Sequence, residues 1–138
     1  EYLAVHGSAS IVQGQNLDTD EPVFLITPPR FTLGGKVRFP EIGRITDHGL
    51  DLDISLVRRQ TRFPQGADFV EPPPGYQLVD LYYAVVFSAG TNPIRTQLGV
   101  HNLLNTKYRN YLNRYRYFID DPGRNITLRI SIPFGQAE

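Results

Sequence analysis

Basic and aromatic side chains interleave from Lys107 to Phe118, in the order K-Y-R-N-Y-L-N-R-Y-R-Y-F. A guanidinium group binds an oxyanion through paired, charge-assisted hydrogen bonds. A tyrosine keeps its ring in apolar surroundings and its hydroxyl in water. Arg109, Arg114, Tyr115, Arg116 and Tyr117 are therefore candidate contacts for an anionic ligand. The same residues could instead pack a loop or form an aromatic girdle at a membrane interface. Interleaved arginine and tyrosine also suits single-stranded nucleic acid, whose bases stack on aromatic rings. That reading is disfavoured, because fourteen basic and fourteen acidic residues cancel and no strand platform carries the rings. Tyr108, Tyr111 and Tyr115 are spaced three and four apart, which allows one short helical turn in this stretch.

Other chemistry is sparse. The chain has no cysteine, which excludes disulfide scaffolds, zinc–thiolate sites and thiol catalysis. It shows no G-x-S-x-G, H-E-x-x-H or P-loop signature, and no enzymatic activity or cofactor is expected. His6, His48 and His101 are scattered without metal-ligand spacing and read as solvated side chains. Asp18-Thr19-Asp20-Glu21 lacks the glycine and distal glutamate of a calcium loop and reads as a solvated loop. Lys36 and Arg38 stand one turn away from Asp51 and Asp53, so a hairpin across residues 40–49 would let them pair across strands. Each such pair contributes roughly 0.2–1 kcal/mol. Pro72-Pro73-Pro74 is a stiff, polyproline-like loop element.

The elements that must position these residues are strands. Between Gly123 and Phe134, Ile126, Leu128, Ile130, Ile132 and Phe134 alternate with Asn125, Thr127, Arg129 and Ser131. Successive strand side chains point to opposite sides, so this segment has one apolar and one polar face. Five further segments alternate in the same way. Their apolar sets are Leu3 to Ile11, Phe31 to Phe39, Leu50 to Leu56, Val79 to Phe87, and, more weakly, Leu98 and Val100. Lys36, Arg38, Asp51, Asp53, Asp80 and Arg129 all fall on the polar side. The segments run roughly 9–12 residues, closer to the 9–11 of a tilted transmembrane strand than to a soluble strand.

The predicted links at 13–30, 61–75 and 105–122 are long, and those at 40–49 and 88–95 are shorter. In an antiparallel meander all long loops then gather at one end, as in barrels of the bacterial outer membrane. No apolar run approaches the ~20 residues of a membrane helix, which does not bear on β-spans. The chain opens at Glu1 inside a strand pattern and contains no methionine, which suggests a piece of a longer chain or a processed one.

Val100-His101-Asn102-Leu103-Leu104-Asn105-Thr106-Lys107-Tyr108 resembles the V-x-N-L-F-N-x-x-Y stretch near the end of TonB-dependent outer-membrane receptors. Pro28-Pro29-Arg30, Gly75-Tyr76 before Val79-Asp80-Leu81, and Pro122-Gly123-Arg124-Asn125 before the terminal strand match the same family in the same order. The resemblance covers nearly the whole chain and is most specific from Val100 to Phe134. Leu104 departs from the family's Phe. The tail Gly135-Gln136-Ala137-Glu138 extends past the terminal Phe, which puts recognition of that strand by assembly machinery in doubt.

The resemblance implies an all-β fold, an antiparallel meander of about six long strands forming the C-terminal portion of a 22-stranded transmembrane barrel. Residues 1–138 would form one segment, without the plug domain. It implies the bacterial outer membrane as location. The implied partners are outer-membrane lipid, lipopolysaccharide, the barrel-assembly machinery and, through the plug, the TonB complex. The implied cargo is a ferric siderophore, with haem or cobalamin as alternatives. Gly123, Ile126, Leu128, Ile130, Ile132 and Phe134 would form the terminal strand read by the assembly machinery. Alternation alone also fits a soluble β-sandwich or small barrel that binds an apolar ligand or a glycan. A barrel enzyme or adhesin would need a Ser/His pair at its rim, and no such pair is placed to serve.

Overall fold

The structure, a computed structural model, describes residues 2–89 and 92–133. It is all-β. Six strands, β1 (Tyr2–Ser10), β2 (Arg30–Phe39), β3 (Ile45–Val57), β4 (Tyr76–Ala89), β5 (Asn92–His101) and β6 (Asn125–Ser131), form one sheet in sequence order. Every neighbouring pair is antiparallel. The sheet is open, with β1 and β6 as its edges.

Register explains the alternation seen in the sequence. Leu33 stands opposite Ile54, which stands opposite Val79. Tyr83 stands opposite Leu98, which stands opposite Leu128. The apolar sets of all six strands thus share one face. A one-residue slip in any pair would turn a whole strand's apolar side chains to the polar face. Phe31 and Phe39 mark the two ends of that face on β2.

Most of this face is uncovered among the described residues, although Val79, Val85 and His48 on β3 and β4 are buried. Leu33 is 59% exposed, Leu98 45% and Leu128 64%. Val57, Val79, Val85 and Tyr111 are the only buried apolar residues described. On the polar face, Lys36, Arg38, Asp47 and Asp51 from β2 and β3, Ala84 and Val86 from β4, and Arg95, Gln97, Arg129 and Ser131 from β5 and β6 line a cleft of about 600 Å³.

The short links are shorter than the sequence pattern indicates. β3 begins at Ile45 rather than Leu50, so the first turn is 40–44, tightened by paired backbone bonds between Ile42 and Ile45 and by Gly43 at φ 60°. Only left-handed backbone closes such a turn without strain, and glycine supplies it. β5 begins at Asn92 rather than after Arg95, and β4 runs to Ala89. The long links, loop A (11–29), loop B (58–75) and loop C (102–124), all leave the opposite end.

The terminal strand is shorter than expected. Gly123 precedes β6 and Ile132 follows it, while Phe134 lies outside the described residues. Gly123 is fixed by a neighbour rather than by strand pairing. A Cβ there would stand 2.7 Å from Asn105 Oδ1, the atom that accepts the Arg124 amide at 2.9 Å.

His48 corrects the reading of the histidines as solvated. It lies on the apolar face opposite Phe39 and Val85 and is 8% exposed. Its Nε2 faces the Pro40 carbonyl at 3.0 Å, a group that only accepts, so Nε2 carries the proton. Its Nδ1 meets the Tyr83 hydroxyl at 3.1 Å. With Phe39 these rings form an aromatic cluster at the short-turn end.

Candidate functional site

The three long loops interlock. The Arg58 amide donates to the Pro29 carbonyl at 2.9 Å, Gln60 Nε2 to the Ile26 carbonyl at 3.0 Å, and Arg62 Nη1 to Gln13 Oε1 at 2.6 Å. These bonds hold loop B against loop A.

Loop C is shaped by asparagines. Asn102 and Asn105 take left-handed backbone at φ 51° and 54°, a conformation their short polar side chains tolerate better than most residues. Asn102 Oδ1 accepts the Thr106 amide at 2.8 Å, and its Nδ2 donates to the Thr106 carbonyl at 2.9 Å. Its own amide donates to Asp80 Oδ1 at 2.8 Å, which pins the loop to β4. The asparagines of the Val100–Tyr108 motif thus act as turn-formers. Further on, the Asn113 side chain caps a single 3-10 turn over Arg114–Tyr117, which includes Tyr115 but not Tyr108 or Tyr111, so the spacing of those three tyrosines does not mark it.

Loop C is locked to loop B by a group the sequence did not single out, Asp68. Its carboxylate pairs with the Arg116 guanidinium, and its Oδ1 accepts the Tyr117 hydroxyl at 2.6 Å. The Arg116 side chain also donates to the Tyr111 carbonyl and to the Tyr117 hydroxyl, and lies 4.3 Å from the Tyr111 ring centre. Burial works against the Arg116 charge, but its bonds to Tyr117 and Asp68 outweigh that and raise its pKa further. Burial also raises the Tyr111 phenol, with the Arg116 charge pulling the other way. The Tyr108 phenol is raised by burial and by the charges of Asp121 and Asp80.

The five candidate contacts therefore fall into two groups. Arg116 is 2% exposed and its donors are engaged within the protein. Tyr117 is tied to Asp68, and Arg109 is held by Asp120 at 2.7 Å and by the Arg116 carbonyl at 2.9 Å. Arg114 and Tyr115 stay on the surface, Tyr115 at 68% exposure. Around them the loops expose Phe69, Leu112, Phe118 and Ile119. Phe69 packs edge-on to Tyr117, and Tyr117 edge-on to Phe118. The result is an aromatic and aliphatic rim on which, among the described residues, the Arg114 guanidinium has no carboxylate within ion-pair distance.

On the polar face, Lys36 pairs with Asp51 at 3.3 Å, as the hairpin register allows. Arg38 does not pair with Asp53. It stands opposite Gly49, and Asp53 instead meets His6 Nε2 at 3.0 Å across Gly34. A Cβ on Gly34 would strike both side chains. No group of three or more potential metal ligands occurs among the described residues. In the Asp18–Glu21 stretch, Asn16 Oδ1 accepts the Asp18 amide and Gln15 bonds to Asp20, which closes a turn.

No protein-family model matches the chain, and no curated protein or solved structure matches it.

Proposed function

We propose that this chain is the C-terminal wall segment of a 22-stranded TonB-dependent receptor in the bacterial outer membrane. One observation carries the reading: an apolar face, six strands wide and largely uncovered, backs a polar face that holds a cleft. A soluble sandwich or barrel turns its apolar face inward against a second layer. A membrane barrel turns it outward to lipid and keeps a polar interior. The strand lengths and the placement of all three long loops at one end support the same reading, as does the sequence resemblance.

On this reading the segment closes part of the barrel wall and presents loops B and C to the outside. The receptor takes up a scarce nutrient, a ferric siderophore by preference, with work supplied by the TonB complex through the plug. Arg114, Tyr115 and the surrounding rim are the ligand-facing part of this segment, with lipopolysaccharide phosphate as a second anion for Arg114. The assembly machinery reads the terminal strand.

The absence of native cysteine makes a direct test available. Single cysteines at positions 95 to 100, labelled with an environment-sensitive dye in lipid vesicles, should give blue-shifted emission at Leu98 and Val100 and water-like emission at Gln97 and Gly99. Uniform water-like emission, or a monomeric protein without detergent, would sink the proposal in favour of a soluble binding module.

A further inference from the structure

We infer that the polar face carries a binding cleft for a small multivalent oxyanion, at the end of the sheet nearest the short turns. The cleft's position follows from register. Arg38, Gly49, Ala84, Gln97 and Arg129 stand in one row across β2 to β6. In the next row Asp47, Val86, Arg95 and Ser131 are aligned. Ala84 gives the cleft a low floor, the three arginines line it, and the Arg38 side chain lies across Gly49. Gly49 is required for this, since a Cβ there would stand 2.5 Å from Arg38 Nη1 and 2.5 Å from the Val37 carbonyl oxygen.

The charges do not balance. Among the described residues, Arg38, Arg95 and Arg129 have no carboxylate within ion-pair distance. Asp51 is engaged with Lys36. Asp47 is separated from Arg95 by Val86, two strand spacings or about 9.6 Å away. Three guanidinium groups and Lys36 thus share the cleft with two carboxylates, Asp47 and Asp51, the latter with its Oδ1 buried and unpartnered, which leaves positive charge in excess. Like charges gathered in a concave surface focus the field and raise the local concentration of anions.

Geometry and size favour a compact ligand. Arg95 stands opposite Ser131 and Gln97 opposite Arg129, so Arg95 and Arg129 are diagonal neighbours. Such neighbours lie roughly 7–8 Å apart, within reach of one anion held by both forks. Gln97 and Ser131 add neutral polar groups beside them. The cleft's volume, about 600 Å³, falls within the range of roughly 300–1,000 Å³ of small-molecule sites. Phosphate and carboxylate groups both match a guanidinium fork, so the ligand class is a small polyphosphate or polycarboxylate. This inference rests on the polar face alone and holds whether or not that face lines a receptor.

The test is calorimetric titration of the whole chain, folded in detergent micelles, with inorganic pyrophosphate and with citrate. One saturable site is expected for at least one of them, and the tighter of the two names the source chemistry. Arg95→Gln with Arg129→Gln should weaken binding at least tenfold, with the strand circular-dichroism signal unchanged. Arg95→Lys, which keeps the charge and loses the fork, should weaken it less. Arg59→Gln, in loop B at the opposite end and already paired with Glu71, should leave it unchanged. No saturable heat with either anion, or affinity unchanged in the double variant, would overturn the inference.

Discussion

Arg116 and Asp68, one on each of two loops, form an ion pair from which water is almost wholly excluded, each side chain being 2% exposed. The pair is 48 residues apart in sequence and joins loops that leave different strands. Taking two charges out of water is costly unless each finds its partner and the remaining donors are used. Here Tyr117 and the Tyr111 carbonyl complete the set. The two loops are therefore a single body resting on the end of the sheet.

Asp68→Ala should leave the Arg116 guanidinium buried and unpaired, at a cost of about 3–5 kcal/mol. The loss should be confined to the loops. Hydrogen exchange should speed up across 58–75 and 102–124 and stay slow in β3 and β4. Replacing both partners, Asp68→Leu with Arg116→Met, should cost less than Asp68→Ala. Equal loss of protection across the sheet would contradict this division.

The Tyr111 hydroxyl is buried without a hydrogen-bond partner. Tyr111→Phe keeps the ring under Arg116 and removes the unsatisfied group, whose burial costs about 1–3 kcal/mol. The variant should be as stable as the parent or slightly more so in denaturant unfolding. Tyr111→Ala should lose about 3–5 kcal/mol, as expected when a buried aromatic is truncated.

Alkaline pH should release the loops before the sheet. Tyr108 and Tyr111 have phenol pKa values raised above their ordinary 10.0. A raised pKa in the folded state favours the protonated form. Its contribution to stability is intact below the ordinary phenol pKa and is lost as pH climbs through the raised one. Tyrosinate absorbance should therefore include late-titrating groups, and Tyr108→Phe and Tyr111→Phe should each remove one of them. Loop B and C exchange should rise over that same pH interval. Late-titrating tyrosines without any change in loop exchange would contradict the coupling.

Glycine substitutions should separate two kinds of close approach. At Gly75 a Cβ would stand 2.7 Å from the Val57 carbonyl oxygen and 3.1 Å from the Arg59 amide nitrogen, both backbone atoms that cannot swing aside. At Gly34 it would meet the ends of the His6 and Asp53 side chains, which can. Gly75→Ala should cost about 1–3 kcal/mol. Gly34→Ala should cost less and act by separating the His6–Asp53 pair. Unfolding of both variants in the same detergent checks the order.

The alternating strands were legible because a single physical period governs them. From Leu50 to Leu56 and from Ile126 to Ile132, apolar side chains recur at every second residue, and the register places them on one face. The start of β3 was not legible. Asp47, His48 and Gly49 carry no apolar signature, and they become strand because Arg38 and Phe39 pair with Gly49 and His48. The position of His48 on the apolar face was hidden for the same reason.

The loop lock was illegible in a different way. The sequence singles out Arg116 by its neighbours of like type, whereas its fate is decided by Asp68, a lone acid in a separate loop. The exposed rim around Arg114 and Tyr115 emerges only once Arg116 and Tyr117 turn inward. The arginines of the cleft likewise come together only through strand pairing, since Arg38, Arg95 and Arg129 are far apart along the chain and fall in two adjacent rows of the sheet.

Phe31 and Phe39 stand on the same face of β2, eight residues apart, both partly exposed. At about 3.4 Å per residue they are separated by roughly 27 Å along the strand. A wall strand tilted by about 35–45° converts that length into roughly 20 Å of height, near the ~25 Å apolar band of outer-membrane barrels. In the proposed setting these two rings work as a ruler. Each would sit at one interface of a bilayer of matching depth, and lipids with much longer chains would leave one ring submerged. Tolerance of acyl-chain length would then be set by the spacing of two phenylalanines within a single strand.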